Sequence, residues 1–229
     1  MSTLNSSAVD RTLAELHAQA EREDPEAKRR VSDSETELGE RLGQRRRYEL
    51  YGDAPLAIAP EVGKLLYALC RARRARRVVE FGCSLGISTI YLAAAIRDEG
   101  EGKGGSVVTS ELLTEKANAA LQNLARAGLE DLVEVRLGDA LHTLKRIPAP
   151  IDLLFLDGRN DQYRSVLRLV EGALAPEAMV VADLNSDDPD LDAYLEYVRD
   201  PRAGYTSVEI PLGDGVEVSI GPTKGALTK

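Results

Sequence analysis

From Pro60 onward the chain alternates short apolar runs with amphipathic stretches, and this rhythm limits the folds open to it more than any other feature. EVGKLLYALCRA reads as a helix, RRVVEFG as a buried strand, and ISTIYLAAAIRDE as a helix beginning just past a glycine. SVVTSE, LVEVRLGD and IDLLFLDG repeat the strand signal, and TEKANAALQNLARAG, a helix closed by Gly128, separates the first two of them. Strands joined through helices of this length form a parallel sheet with right-handed crossovers and both faces covered. Further on, SVLRLVEGAL reads as a helix, MVVADLN as a strand and LDAYLEYVRD as a helix. TSVEIPL and VEVSIG then flank the turn GDG, a hairpin signal that predicts an antiparallel pair at the end of the sheet.

Before this region, Val9, Leu13, Leu16 and Ala20 recur at steps of three and four, which predicts an amphipathic helix over residues 8–23. The next stretch, DPEAKRRVSDSETELGERLGQRRRYELYG, is dense in both charge signs, so it reads as helical or loose surface, with Arg45, Arg46 and Arg47 as a solvated face. A chain of 229 residues with 43% hydrophobic content closes one sizeable core. We therefore expect a helical extension over residues 1–52 and a single α/β domain over residues 53–229. A formal net charge of -9 disfavours nucleic acid and anionic membrane surfaces as partners, since both would repel the chain. No apolar run reaches the length of a membrane span, and the polar start MSTLNSSAVD lacks a basic segment followed by an apolar one, so a cytoplasmic location is expected. Cys70 and Cys83 have neither a disulfide framework nor zinc-type spacing and read as two reduced thiols.

The strand-turn-helix VVEFGCSLGISTIYLA puts Gly82 and Gly86 where the backbone must pass close to a neighbour, and it aims a helix N-terminus at the same spot. A tight turn uses glycine for steric reasons alone, so the motif gains weight only from acidic residues downstream. Glu111 ends the next strand and Asp139 the third, and in an open parallel sheet those carboxyl ends surround the ligand crevice. A carboxylate in the position of Glu111 can accept both ribose hydroxyls of a nucleoside. Asp139 has two readings, a ligand contact or the N-cap of ALHTLKRI.

In this order IAPEVGKLL, VVEFGCSLGISTIYLA, VVTSE, GDAL, FLDGRNDQY, VVADLN and GDGVEVSIGP resemble the class I methyltransferases, and within them the catechol and caffeoyl-coenzyme A type of O-methyltransferase. The resemblance runs from about Ala57 to Pro222. It implies a doubly wound, mostly parallel seven-stranded sheet with a terminal antiparallel hairpin, and S-adenosylmethionine as cofactor. It implies that Glu80 and Gly82 border the methionine moiety, that Ser88 holds its carboxylate and that Ala59 lies in the segment folding over the cofactor. Glu111 then takes the ribose, and Gly138, Asp139 and Ala140 face the adenine. The reaction implied is methyl transfer to a hydroxyl of a small, aromatic or natural-product acceptor, with magnesium or a similar cation lowering the hydroxyl pKa and fixing its position. Asp157 and Asp183, each ending a strand, are the ligands implied, with Asn185 as a third.

Two positions depart from the family pattern. The family has Asn directly after the second aspartate, where this chain has Leu184 and displaces Asn185 by one. It has lysine three positions after the first aspartate, where this chain has Asn160, whose amide cannot accept a proton near neutral pH. Asp157 and Asn160 thus mark the catalytic positions, with Asp161 or His142 as replacement bases, although His142 reads as a surface residue of its helix. Asp187, Asp188, Asp190 and Asp192 read as a solvated loop and helix-start acids, and Tyr163, Tyr194, Tyr197 and Tyr205 as acceptor-pocket or surface residues. Two other readings stand beside this one: a nicotinamide-dependent oxidoreductase, disfavoured by the absence of GxGxxG spacing, and a non-catalytic cofactor-binding scaffold. The stripe on residues 8–23 has no evident home in a closed α/β core, so a homodimer is expected, as the resemblance also implies.

Overall fold

The computed structural model describes residues 2–100, 104–184 and 188–222. Seven strands lie in the order β3-β2-β1-β4-β5-β7-β6: β1 (Arg77–Phe81), β2 (Ser106–Glu111), β3 (Val133–Leu137), β4 (Ile151–Leu156), β5 (Leu174–Asp183), β6 (Thr206–Ile210) and β7 (Val216–Ile220). The pairs among β1 to β5 are parallel, and β7 runs antiparallel to both β5 and β6. The expected doubly wound sheet with a terminal hairpin is therefore present, and β7 inserts between β5 and β6. That insertion distinguishes the sheet from the doubly wound dinucleotide order.

The period of two along each strand sorts the core into two layers. Val78, Val107, Leu153, Phe155 and Val181 face a cluster closed by α3 (Pro60–Arg73), α4 (Ile87–Gly100) and α5 (Thr114–Ala127). Val79, Val108, Leu154, Leu156 and Val180 face a second cluster closed by α6 (Ala140–Thr143), α7 (Tyr163–Val170) and α8 (Asp192–Arg199). Central strand β4 is buried on both faces, which is why IDLLFL lacks alternation. Tyr163, Tyr194 and Tyr205 belong to the second cluster, with Tyr163 edge-on to Phe81 and Tyr194. They are core residues and not the surface or pocket residues expected. Helix α7 begins two residues before the expected SVLRLVEGAL and gives way to a 3-10 turn at Glu171–Ala173, while β5 begins at Leu174, five residues before the expected MVVADLN.

The largest difference lies at the front of the chain. Helix α1 (Ser7–Leu38) does not stop near Glu23 but runs through Pro25 to a left-handed Gly39. Proline removes one backbone donor and usually ends a helix. Here the apolar stripe outlasts it, because Ala27 and Val31 are as buried as Val9, Leu13 and Leu16. The charge density of residues 24–38 masked those two positions. Val9, Leu13 and Leu16 join the same core as α3 and α4, so the stripe is covered within its own chain and the reasoning that called for a second copy loses its premise. A second helix, α2 (Gln44–Tyr51), comes next with no buried residue and a glycine at each flank, Gly43 and Gly52. Among the described residues no helix is long and apolar enough to cross a membrane.

If α1 is part of the core, Leu16→Ala should cost about 2–4 kcal/mol, as for a buried leucine elsewhere. Urea unfolding reads this directly, and a loss near zero would mean that the helix is detachable.

Candidate functional site

The order of the strands reverses between β1 and β4, and there the two chain turns touch. Gly82 has φ +98, and a Cβ on it would stand 2.2 Å from the Asp157 carbonyl oxygen. The Asp157 amide donates to the Phe81 carbonyl at 2.8 Å, extending the pairing one residue past the strands. Gly82 is therefore required by the neighbouring backbone, whatever ligand passes nearby. Cys83 lies in the same turn, and both it and Cys70 are free and buried.

Around this contact opens a cavity lined by Gly82, Ser84, Glu111, Ala140 and Asp157. Glu111, 2% exposed, is fixed by three donors. Its Oε2 accepts from the Ser84 amide at 2.8 Å, and its Oε1 accepts from the Leu113 amide at 2.9 Å and from the Tyr48 hydroxyl at 2.7 Å. Tyr48 comes from α2, and Arg45 and Tyr51 of the same helix also line the cavity. Reading this helix as a charged surface missed these residues. Their only signal was Gln44, Arg47, Tyr48 and Tyr51 at helical spacing, which is weak amid so much charge.

Glu80 is wholly buried at β1 and accepts from the Thr89 hydroxyl at 2.5 Å, while its Oε1 has no partner among the described residues and burial raises its pKa. Ser88, 5% exposed, stands in the first turn of α4 and lines a narrow second cavity with Ile58, Ser84 and Asp157. The segment closing that cavity is pinned by two contacts. The Asp24 carboxylate accepts from the Leu56 and Ala57 amides at 2.8 and 3.0 Å, and the Ser84 hydroxyl donates to the Pro55 carbonyl at 2.6 Å. Ala59 lies just past this segment as the residue before α3 and lines a separate groove with His17 and Lys28. Gly138 has φ +125 and its amide donates to the Glu111 carbonyl at 2.7 Å. Asp139 caps α6, accepting from the Leu141 amide at 2.8 Å, while also lining the first cavity, so both of its readings are met at once.

Asp157 and Asp183 end adjacent strands. Burial and the neighbouring Asp183 hold Asp157 well above the usual carboxylate range, and burial with Asp214 pushes Asp183 up to about 7. Among the described residues neither side chain has a hydrogen-bond or ion-pair partner, and no third His, Cys, Asp or Glu completes a cluster with them. Two hard oxygen donors with their charge uncompensated suit a divalent cation such as magnesium, which commonly binds through one or two carboxylates and water. Leu184 is buried in the second core cluster, its amide donating to the Gly215 carbonyl, and so turns away from any ion. Asn185 and Asp187 lie outside the described residues.

Asn160 does not stand free beside the acids. Its amide donates to Asp188 at 2.9 Å. Asp188, 6% exposed, also accepts from Gln44 at 2.6 Å, pairs with Arg41 and lies 3.5 Å from Arg47. The expected solvated acidic loop is thus, at Asp188, a buried anchor for the front of the chain, and the arginine run is solvated at Arg46 but not at Arg47. His142 is exposed on α6, and Asp161 is an exposed partner of Arg159 at 3.4 Å.

Residues 79–183 match the family model described as a methyltransferase domain. The catechol O-methyltransferase of Mycobacterium tuberculosis is 38% identical over 56% of this chain and 56% of its own length. That of Niastella koreensis is 29% identical over 58% and 59%, so the matched region spans under two thirds of these two relatives. A protein of Mycobacterium sp. (strain JLS) classed as an O-methyltransferase is 31% identical over 71% of this chain and 78% of its own. The chain belongs to the O-methyltransferase family. A Streptomyces achromogenes O-methyltransferase involved in tomaymycin synthesis, solved with S-adenosylmethionine, matches with a TM-score of 0.65 and 29% identity over 78% of this chain and 86% of its own. The Bacillus cereus O-methyltransferase solved with S-adenosylhomocysteine gives 0.62 and 27% over 72% and 82%. Against the O-methyltransferase pattern, the structure accounts for both departures: Leu184 fills core, and Asn160 serves the Asp188 anchor.

The anchor makes a pH prediction. Hydrogen bonds from the Asp190 amide, Arg41, Asn160 and Gln44 outweigh burial and hold the Asp188 carboxyl below its ordinary value. A depressed carboxyl contributes stability that is present above its unfolded pKa, near 4, and is lost as pH falls through the folded value. Asp188→Asn should therefore lower stability at pH 7 by about 1–3 kcal/mol. The gap in melting temperature between the two proteins should close below about pH 4, and a gap independent of pH would mean that the Asp188 charge is not what anchors the segment.

Proposed function

We propose that this chain transfers a methyl group from S-adenosylmethionine to a hydroxyl of a small aromatic or natural-product acceptor. The observation that carries the reading is Glu111, buried at the end of β2 and oriented by two backbone amides, with Asp157 lining the same cavity and Asp183 ending the strand next to β4. Glu111 accepts the ribose hydroxyls. Ser88 and the free amides at the start of α4 hold the cofactor carboxylate, and the partnerless oxygen of Glu80 is an acceptor suited to its ammonium. Gly138, Asp139 and Ala140 lie against the adenine. The names of the catechol O-methyltransferase relatives support the hydroxyl as the methylated group.

Asp157 and Asp183 hold a divalent cation in this reading. Such an ion, when bound, lowers the pKa of the acceptor hydroxyl and fixes its oxygen. S-adenosylmethionine, when bound, would supply a methyl group to the acceptor oxygen and leave as S-adenosylhomocysteine, with the hydroxyl proton passing to solvent. Asn160 takes no part in that proton transfer, since its amide is committed to Asp188. The elements before residue 53 act with the domain after it, closing the cofactor cavity from one side. The raised pKa values of the two aspartates also fit the cation, since burial and neighbouring acids outweigh the pull of Lys116 on Asp157 and of Lys28 on Asp183.

Titration with S-adenosylhomocysteine and a turnover assay over catechol-like acceptors test this reading. Glu111→Ala should weaken cofactor binding about 10–100-fold, the loss of a buried charge-assisted acceptor. Chelation should abolish turnover while leaving cofactor affinity nearly unchanged. Full activity after exhaustive chelation would remove the cation, and unchanged affinity in Glu111→Ala would remove the ribose assignment.

A further inference from the structure

We infer that Tyr48 is an internal occupant of the cofactor site: its hydroxyl takes the place on Glu111 that a ribose hydroxyl needs, so cofactor binding and the seating of α2 form one equilibrium. The inference rests on the reading of Glu111 as the ribose acceptor and extends it to a residue outside the methyltransferase domain match.

Lone pairs on Glu111 are the limiting resource. A carboxylate offers about four acceptor positions. Leu113 and Tyr48 occupy two on Oε1, and Ser84 occupies one on Oε2, so one remains. The Leu113 and Ser84 amides belong to the turns that build the cavity and cannot leave. A ribose presenting both hydroxyls therefore finds room only if Tyr48 withdraws. Burial and the adjacent Glu111 charge raise the Tyr48 pKa, so the phenol keeps its proton and stays a donor.

The surroundings favour withdrawal over a fixed contact. Helix α2 is bracketed by Gly43 and Gly52, and its inward residues, Tyr48 among them, are half-buried and not sealed in the core. Beneath the Tyr48 ring, 4.9 Å from its centroid, lies the ammonium of Lys116, a residue 1% exposed that has no hydrogen-bond partner among the described residues. When the ring moves aside, water reaches that ammonium, and its hydration offsets part of the lost phenol–carboxylate bond. Meanwhile the Arg41 and Gln44 contacts to Asp188 keep the other end of the segment in place, so the motion is a pivot and not a release.

Tyr48→Phe keeps the ring over Lys116 and removes only the competing hydroxyl. S-adenosylhomocysteine should bind this variant about tenfold tighter than the wild type, as one competing charge-assisted bond is deleted from the free state. Analogues lacking the 2′- or the 3′-hydroxyl fit the one free position with Tyr48 still seated, so with them the advantage of the variant should shrink towards one. In the wild type, amide exchange over residues 44–51 should rise when S-adenosylhomocysteine saturates the site, a readout that needs no variant. Equal or weaker binding by Tyr48→Phe, an advantage that persists with the deoxy analogues, or unchanged exchange over α2 would overturn the inference and leave the ribose assignment standing. A wild type that binds no S-adenosylhomocysteine would remove the assignment and the inference together.

Discussion

The carboxyl edge of this sheet is organised by one steric contact, the approach of the Gly82 α-carbon to the Asp157 carbonyl. No side chain fits between them, so the ends of β1 and β4 close to backbone contact, and the helices beyond them must leave on opposite faces of the sheet. That divergence opens the crevice. Glu111 on one side and Asp183 on the other are then each one strand away from the contact, which fixes the reach of any molecule that touches both. The narrower cavity by Ser88 exists because Asp24 and Ser84 draw residues 55–57 down over the same turn.

Charge is distributed unevenly about that crevice. Glu80 and Glu111 are buried beside it and Asp157 and Asp183 half-buried, with Lys116 as the buried cation among the described residues. Ordinarily buried carboxylates are paired, and those left unpaired raise their pKa values instead. Glu80, Asp157 and Asp183 behave so, whereas Asp188, surrounded by donors, moves the other way. The contrast separates an acid that holds the fold together from acids that the described residues leave without a charge partner.

Much of this was legible in the sequence because it is local. SVVTSE fixes β2 and places Glu111 at its end, since strand periodicity and an adjoining turn are properties of adjacent residues. IDLLFLD and MVVAD set Asp157 and Asp183 at strand ends in the same way. What the sequence hid depends on partners far along the chain. Asp188 looks like a loop acid until Arg41 and Gln44 arrive from about 145 residues away. Pro25 looks like a helix end until the buried surface under Ala27 and Val31 is known. The stripe that prompted the homodimer expectation is another such case, for its home lies in the core of its own chain, against α4 and α5.

Helix α2 reaches both ends of the cleft, with Gln44 and Arg47 turned to Asp188 and Tyr48 to Glu111. Its contacts depend on phase as well as on sequence. One residue inserted between Arg47 and Tyr48 would rotate everything beyond it by about 100° and carry Tyr48 off Glu111 while leaving the Asp188 grip untouched. The sheet and its turns would not register the change. Length variation in this short segment is thus a means of retuning the cleft that the fold itself does not oppose.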